Sequence, residues 1–159
     1  MIGFTADADL PDYGETFRFR VLWDGQAIAG ISRVSVLRRA TEVIEYRDGS
    51  DLTSSRKLPG RTSWDAITLE RRVTHDTAFE IWADLTLHRG GPALPEAFRK
   101  DIRLELHDEA GRLVVAYRIF RCWVSEYVAL AGLDVGGNVL QSIKIENEGW
   151  ERDTSVATS

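Results

Sequence analysis

The stretch EYRDGSDLTSSRKLPGRTSWDAITLERRV, residues 45–73, begins and ends as β-strand but is polar in between. Apolar and polar residues alternate through Ile44 and Tyr46, and again through Ile67 and Leu69. This period of two is typical of half-buried strands. The segment that joins the two patterns is longer than the loop of about two to five residues that ordinarily closes a hairpin. The sequence therefore predicts a strand over residues 41–47, a long polar arm over 47–60, and a further strand over 64–73.

Strand patterns also precede the arm. Residues 17–23 place aromatic and aliphatic side chains on one face and arginines on the other. Asp24-Gly25 is the signature of a two-residue type I′ turn, in which both central residues have positive φ. The return strand is predicted to run from Ile28 to Leu37, with a bend or bulge at Gly30.

A second hairpin is predicted after the arm. Ile102, Leu104 and Leu106 alternate with polar residues, and residues 108–111 turn the chain. The run that follows is apolar on both faces, which indicates a strand buried on two sides. A glycine-rich loop, residues 132–137, precedes the last strand.

One segment has the period of a helix. Phe79, Trp82 and Leu85 recur three residues apart, with Ile81 and Leu87 near the same stripe. Asp76 is a candidate N-cap, and Gly90-Gly91 a candidate stop. Strands in hairpins with a single helix predict a mainly β fold: an antiparallel β-sandwich or barrel with one packed α-helix and a long inter-strand arm.

Length and charge limit the class of protein. The 159 residues predict a single domain, with a flexible N-terminal segment of about 15 residues and a flexible C-terminal tail of about 8. The net charge of -5 argues against a general nucleic-acid binder, because such proteins usually carry a basic face. No export signal and no apolar run of about 18 residues is recognisable, so we expect cytoplasmic synthesis and no stable membrane association.

No set of residues predicts catalysis. His75-Asp76 and His107-Asp108 lack recognisable metal-ligand spacing, and helix-start or turn chemistry explains both aspartates. The single cysteine, Cys122, lies among aromatic residues in a strand, where a buried, unreactive thiol is expected. We therefore expect no enzyme activity, no metal and no cofactor.

The five tryptophans divide into two groups. Trp23, Trp82 and Trp123 fall on apolar stripes and are expected in the core. Trp64 and Trp150 lie at the edges of predicted elements, where partly exposed aromatic residues commonly anchor a protein interface. A monomeric β-sandwich binding module, with Trp64 and Trp150 flanking a ligand, is the alternative from a different functional class.

The ordered segments FRFRVLWDG, VSVLRRATEVIEYRDGSD, RKLPGRTSWDAITLERRVTHD, FEIWADL and IKIENEGW resemble the tail-tube protein family of contractile-tailed phages (T-even type), which phage-like contractile injection systems share. The resemblance spans roughly residues 17–150, and the runs 45–49 and 56–60 are its most specific parts. Two positions depart from the family pattern: VSVLRRA at residues 34–40, and Asn147 where the family often has histidine. They leave a main tube subunit and a tube initiator or baseplate adaptor as alternatives.

The resemblance implies a structural protein whose six copies form a ring, with rings stacked into a hollow conduit for DNA or a protein effector. It implies sheath and baseplate proteins as partners, assembly in the bacterial cytoplasm, and a place in a virion tail or a tail-like particle. The arm would reach a neighbouring subunit or the adjacent ring, with its basic residues bridging to acidic groups there. The expected interface residues are Tyr46, Arg47, Asp48, Arg56, Lys57, Leu58, Pro59, Gly60, Arg61, Trp64 and Trp150.

Overall fold

A computed structural model describes residues 16–47, 49, 54–87 and 95–156. The predicted flexible N-terminal segment, Asp48 and the Gly90-Gly91 stop lie outside these residues. Within them, ten strands accompany one α-helix and a 3-10 turn at Glu96–Phe98. The elements are β1 (Arg18–Trp23), β2 (Gln26–Ala27), β3 (Ile31–Val34), β4 (Arg39–Tyr46), β5 (Arg56–Trp64), β6 (Ile67–Arg72), α1 (Ala78–Asp84), β7 (Lys100–His107), β8 (Leu113–Val128), β9 (Leu140–Glu146) and β10 (Trp150–Arg152).

The main sheet has the order β2-β1-β7-β8-β9-β6-β3, and all of its neighbouring strands are antiparallel. The long strand β8 joins its two halves, because its first part pairs with β7 and its second part pairs with β9. Arg121 lies next to the changeover with a φ of 51°, and the carboxylate of Asp101 accepts its backbone N–H at 2.9 Å. This irregular position redirects β8 from one half of the sheet to the other.

A single apolar cluster draws side chains from both halves of the sheet and from α1. Phe79 and Trp82 are fully buried, and the Trp82 ring lies 4.8 Å from that of Trp23. The indole N–H of Trp82 donates to the carbonyl oxygen of Phe98 at 2.9 Å, which satisfies the buried donor. The predicted mainly β, sandwich-like fold with one packed helix is confirmed.

The helix is shorter than the sequence pattern indicated. It begins after Thr77 and ends at Asp84, so Leu87 lies beyond it and is exposed. Ile81 lies within the helix but is also exposed, because Phe79, Trp82 and Ala83 form the buried face. Asp76 lies one position before the N-cap, yet its carboxylate still accepts the backbone N–H of Ala78 at 2.8 Å. No helix in the described part of the chain is long and apolar enough to cross a membrane.

The turns at glycines agree with the sequence. Asp24 and Gly25 have φ values of 53° and 74°, as a type I′ turn requires. The return strand β2 is only two residues long, because Gly30, at φ 77°, turns the chain away so that β3 pairs with β6. The predicted continuous return strand is therefore two short strands with a bend at the predicted glycine.

The predicted arm is wrong in its extent. Residues Arg56–Trp64 form β5, which pairs with β4 in a separate two-stranded sheet. We call β4 and β5 the ribbon. Trp64 ends this strand, and the next one begins at Ile67 instead. Pro59 and Gly60 suggested a loop, but a strand with a single neighbour tolerates a proline.

The C-terminal tail also differs from the expectation. Strand β10 pairs with β8 from Trp150 to Arg152, beside the end of β9. The next residue, Asp153, is buried, and its carboxylate accepts from Arg103 Nη1 at 2.7 Å. It also accepts the backbone N–H of Ser155 at 3.0 Å. The chain is therefore anchored through Ser155, within the segment expected to be loose.

Candidate subunit interface

The distal half of the ribbon exposes apolar side chains on both of its faces. Residues that are directly opposite in an antiparallel pair share a face. Ile44 is opposite Leu58 on one face, and Val43 is opposite Pro59 on the other. Ile44, Tyr46 and Leu58 are 45%, 49% and 50% exposed. These side chains lie outside the core cluster, so the ribbon carries apolar surface that the isolated chain leaves in water.

A bulge at Gly60 and Arg61 shapes this surface. The register shifts between Thr41 and Val43, where the two residues of β5 stand opposite Glu42 alone. A Cβ at Gly60 would lie 2.9 Å from Ile44 Cδ1, a distance that non-bonded carbons do not adopt. The missing side chain at residue 60 therefore leaves room for Ile44 to lie across the β5 backbone, and a larger residue there would displace the Ile44 side chain.

The distal part of the ribbon carries one cross-strand pair of opposite charges. Glu45 is opposite Lys57, whereas Arg56 is opposite Tyr46. No ion pair joins Arg56, Lys57 or Arg61 to a carboxylate of the residues that the structure describes. Arg47 follows the end of β4 and is exposed. The basic side chains of the ribbon are thus placed in solvent, where a partner could reach them.

An aromatic cluster fixes the root of the ribbon, which is the end where Arg39 is opposite Trp64. The Trp64 and Trp150 rings meet edge to face with centroids 5.3 Å apart, and Tyr117 lies 5.9 Å from Trp150. The Arg39 guanidinium, directly opposite Trp64 in the ribbon, lies 5.6 Å and 5.9 Å from the two indole centroids. Gly149 packs against the Trp64 ring, because an added Cβ would lie 3.3 Å from it. The structure thus brings together the two predicted tryptophans, and their contact leaves no open slot between the rings.

Polar contacts reinforce the same root. Arg38 Nη1 donates to Asp65 Oδ2 at 2.9 Å, and the Asn147 side chain donates to the Asp65 carbonyl at 3.0 Å. The Asn147 side-chain oxygen also accepts the N–H of Gly149 at 3.1 Å. The sequence marks Asn147 only as a departure from the family pattern, and it predicts no role for Arg38. The Arg38–Asp65 and Asn147–Asp65 contacts join residues 27 and 82 positions apart in sequence, so no local signal marks them.

Among the described residues, His107 contacts the largely buried Glu105 carboxylate, and Cys122 is fully buried. His107 Nε2 lies 3.2 Å from Glu105 Oε1, and Arg103 Nε donates to Glu105 Oε2 at 2.7 Å. Burial raises the pKa of Glu105, but the hydrogen bonds from Arg103 and His107 outweigh it and leave the pKa below its usual range. Burial raises the pKa of Cys122 to about 12, so the thiolate is absent at neutral pH. Within residues 16–47, 49, 54–87 and 95–156, no group of three or more potential ligands could hold a metal ion.

A protein-family profile matches most of the chain. Residues 15–151 match the profile of the family described as T4-like virus tail tube protein gp19. Comparison with curated protein sequences gave no significant match.

Solved structures of similar fold include chains from an extracellular contractile injection system and from the anti-feeding prophage cap. The chain is similar to one from an extracellular contractile injection system, the PVC sheath-tube complex in its extended state, with a TM-score of 0.74, 22% identity and coverage of 96% of this chain and 99% of that one. It is similar to a chain of the anti-feeding prophage cap, with a TM-score of 0.75, 23% identity and the same coverage of each chain. Hcp1 from Salmonella typhimurium is more distant, with a TM-score of 0.51, 12% identity, and coverage of 86% and 85%. At these identities the likeness establishes the fold.

Proposed function

The chain belongs to the T4-like virus tail tube protein gp19 family, whose members are structural tube proteins, and from this premise we propose that six copies close into a ring and that rings stack into a hollow tube. The tube is the inner conduit of a contractile tail or injection system, through which DNA or a protein effector passes. The protein acts by its shape and rigidity, and no step requires a chemical reaction.

One observation carries the proposal. The ribbon exposes Val43, Ile44, Tyr46 and Leu58 outside the core, on an element that only its root holds to the sheet. Exposed apolar surface of this kind marks a protein interface. Subunits that are obligate partners bury upwards of about 2,000 Å², and the ribbon extends the surface that each subunit can offer.

Within that interface we assign distinct roles to the predicted residues. Leu58 and Pro59 make the apolar contact with the neighbouring subunit or adjacent ring. Arg56, Lys57 and Arg61 pair with acidic groups there, since none has such a partner in the described part of its own chain. The root tryptophans set the direction in which the ribbon points. Tyr46, Arg47, Asp48 and Gly60 complete the set.

We propose sheath and baseplate proteins as the further partners. The similar chains were solved in a sheath-tube complex and in a cap, which supports an internal tube with a sheath around it and specialised ends. Assembly takes place in the bacterial cytoplasm, before the tail or tail-like particle is complete.

The test compares two double variants. Ile44→Ser with Leu58→Ser removes the apolar pair from one ribbon face, whereas Val36→Ser with Leu87→Ser removes two exposed apolar side chains elsewhere. Burying a large aliphatic side chain contributes roughly 1.5–3 kcal/mol, so two lost contacts raise the critical concentration for assembly by roughly a hundredfold or more. The control pair leaves it within about threefold.

Negative-stain electron microscopy and light scattering across a concentration series provide the measurement. Hollow tubes of the wild-type chain that disappear in the ribbon variant support the proposal. Rings without tubes would instead identify a tube initiator. A wild-type chain that stays monomeric at every concentration, or a ribbon variant that assembles like its control, would refute the role assigned to the ribbon.

A further inference from the structure

The loop between β8 and β9 carries a second exposed apolar surface. Leu130 and Leu133 are 52% and 71% exposed, and Val135 is fully exposed. We call residues 130–135 the knob. Its tip is a tight turn in which Gly137 N–H donates to the Asp134 carbonyl at 3.1 Å. Large aliphatic side chains on a tight loop tip, outside the core cluster, indicate a contact that one copy of the chain does not provide.

A groove on the same chain has the shape to receive such a side chain. It is a depression of about 160 Å³ beside α1 and the turn between β1 and β2. The apolar part of its lining consists of Trp23, Ile28, Ala78, Ile81 and Trp82, and Ile81 is 61% exposed. Apolar cavities of roughly 150 Å³ accept a benzene-sized group, so this depression has room for a leucine or valine side chain.

The knob and the groove differ in charge. Asp134 is the only charged residue between Glu126 and Lys144, so the knob is apolar with one central carboxylate. The groove adjoins a polar depression of about 530 Å³, because Asp24 and Lys100 line both. The knob is therefore acidic, and the cations that could attract it lie beside the groove.

Arg99 is the cation available for this contact. The polar depression contains Arg99, Lys100 and Arg121 together with two aspartates. Lys100 is paired with Asp24 at 2.5 Å, and Arg121 with Glu148 at 2.6 Å. Arg99 lies over the Phe98 ring, 4.4 Å from its centroid, and forms no ion pair within the described residues.

We infer that the knob of one copy docks in the groove of a neighbouring copy, with Leu133 or Val135 in the apolar depression and Asp134 facing Arg99. The inference rests on the proposed self-assembly and names a contact that the ribbon does not make. Because knob and groove are different surfaces, the contact is heterologous, and a heterologous contact generates a ring when its rotation closes. A second copy is favoured over an unrelated partner because one chain carries both complementary surfaces.

Cross-linking between two tagged variants tests the docking directly. Val135→Cys is mixed with Ile81→Cys under assembly conditions and oxidised, and the products are separated by size. The native thiol does not compete, because Cys122 is completely buried. The control mixes Val135→Cys with Val36→Cys, whose side chain is 68% exposed between β3 and β4. We expect a disulfide between the two different variants in the first mixture and only a trace in the control.

A charge exchange gives an independent readout. Asp134→Arg and Arg99→Asp, each alone, are expected to raise the critical concentration for assembly by roughly tenfold, in the range measured for close interfacial charge pairs. The double variant restores a pair of opposite charges with their positions exchanged. It therefore returns the critical concentration to within about threefold of wild type. Non-additivity of this kind is the signature of direct contact.

The outcomes separate this inference from the proposed function. Rings or tubes that form without the Val135–Ile81 cross-link overturn the docking and leave the tube assignment standing. A cross-link between two Val135→Cys copies would show knob-to-knob pairing and would also overturn it. No assembly and no cross-link at any concentration would overturn both. The expected cross-link together with rescue by the charge exchange would establish the contact.

Discussion

Arg71 is a fully buried cation, and its replacement tests how α1 is fixed to the sheet. Its Nε donates to Gln141 Oε1 at 2.6 Å, and the other two nitrogens donate to the carbonyl oxygens of Ala29 at 3.1 Å and Asp76 at 2.8 Å. The guanidinium also lies 4.0 Å from the centroid of the Phe79 ring. One side chain therefore connects β6, β9, the segment before β3 and the start of the helix.

The expected loss of unfolding free energy follows from the contacts that the replacement of Arg71 removes. Arg71→Met keeps much of the apolar volume but removes the donor from the buried Gln141 side-chain oxygen and from the partly exposed carbonyl oxygens of Ala29 and Asp76. An unsatisfied buried group costs about 1–3 kcal/mol. The three losses share one site and do not add fully. The Asp76 carboxylate, 3.5 Å from Arg71 Nη1, is 35% exposed, so the replacement leaves no fully buried charge unpaired. We therefore expect the variant to lose about 2–3 kcal/mol of unfolding free energy.

The neighbouring Arg72 supplies a matched control, since it is exposed in the same strand. Urea denaturation, followed by circular dichroism at concentrations where the chain is monomeric, measures both variants. Arg72→Met is expected to change the free energy of unfolding by no more than about 0.5 kcal/mol. If Arg71→Met lies within about 1 kcal/mol of Arg72→Met, the buried network does not hold the helix in place.

Three further predictions follow from the described residues. Gly60→Val displaces the Ile44 side chain from the ribbon, so tubes should be lost in micrographs. The thermal midpoint of the monomer should shift by only a few degrees. Normal tubes would contradict this prediction. Hydrogen bonds from Arg103 and Ser155 hold the pKa of Asp153 below its usual range. A depressed carboxyl pKa contributes stability above the unfolded value of about 3.9 that is lost as pH falls through the folded value. Urea midpoints should therefore fall below about pH 4 in the wild type, and Asp153→Asn should flatten that dependence and lower stability at pH 7; an unchanged pH profile would contradict it. Cys122 should resist thiol reagents at pH 8 and react fully in denaturant, and rapid labelling of the folded chain would show that the thiol is accessible.

The sequence predicted those parts of the fold where local pattern and tertiary packing agree. Asp24-Gly25 adopts its type I′ geometry because the turn chemistry is local. Phe79 and Trp82 are buried because helical spacing places both on the face that meets the sheet. The burial of Arg71 could also be predicted from the sequence. In β6, Ile67, Leu69 and Arg71 are two residues apart and therefore lie on the same, buried face.

The ribbon and its root could not be predicted in the same way. Pro59 and Gly60 are depleted in strands, and only a strand with one neighbour and a bulge accommodates both. The contact between Trp64 and Trp150 depends on how β10 is laid beside β8, which no local pattern specifies. For the candidate site, the sequence therefore indicated which residues to propose for the interface, while their arrangement on the ribbon required the tertiary structure.

The edges of the sheets give a physical reason for assembly. Strand β2 has only two residues and β3 has four, with a register shift, so the ends of the main sheet offer little backbone for pairing. Both strands of the ribbon are longer, and among the described residues each pairs along one side only. Pro59 removes a donor from β5, so the outer edge of β4 offers the more complete row of backbone groups of the two. Such an edge is prone to uncontrolled aggregation, and closure into a ring is a specific way to satisfy it. The exposed apolar pairs beside that edge would then be buried by the same contact, so backbone pairing and side-chain burial favour the same assembly.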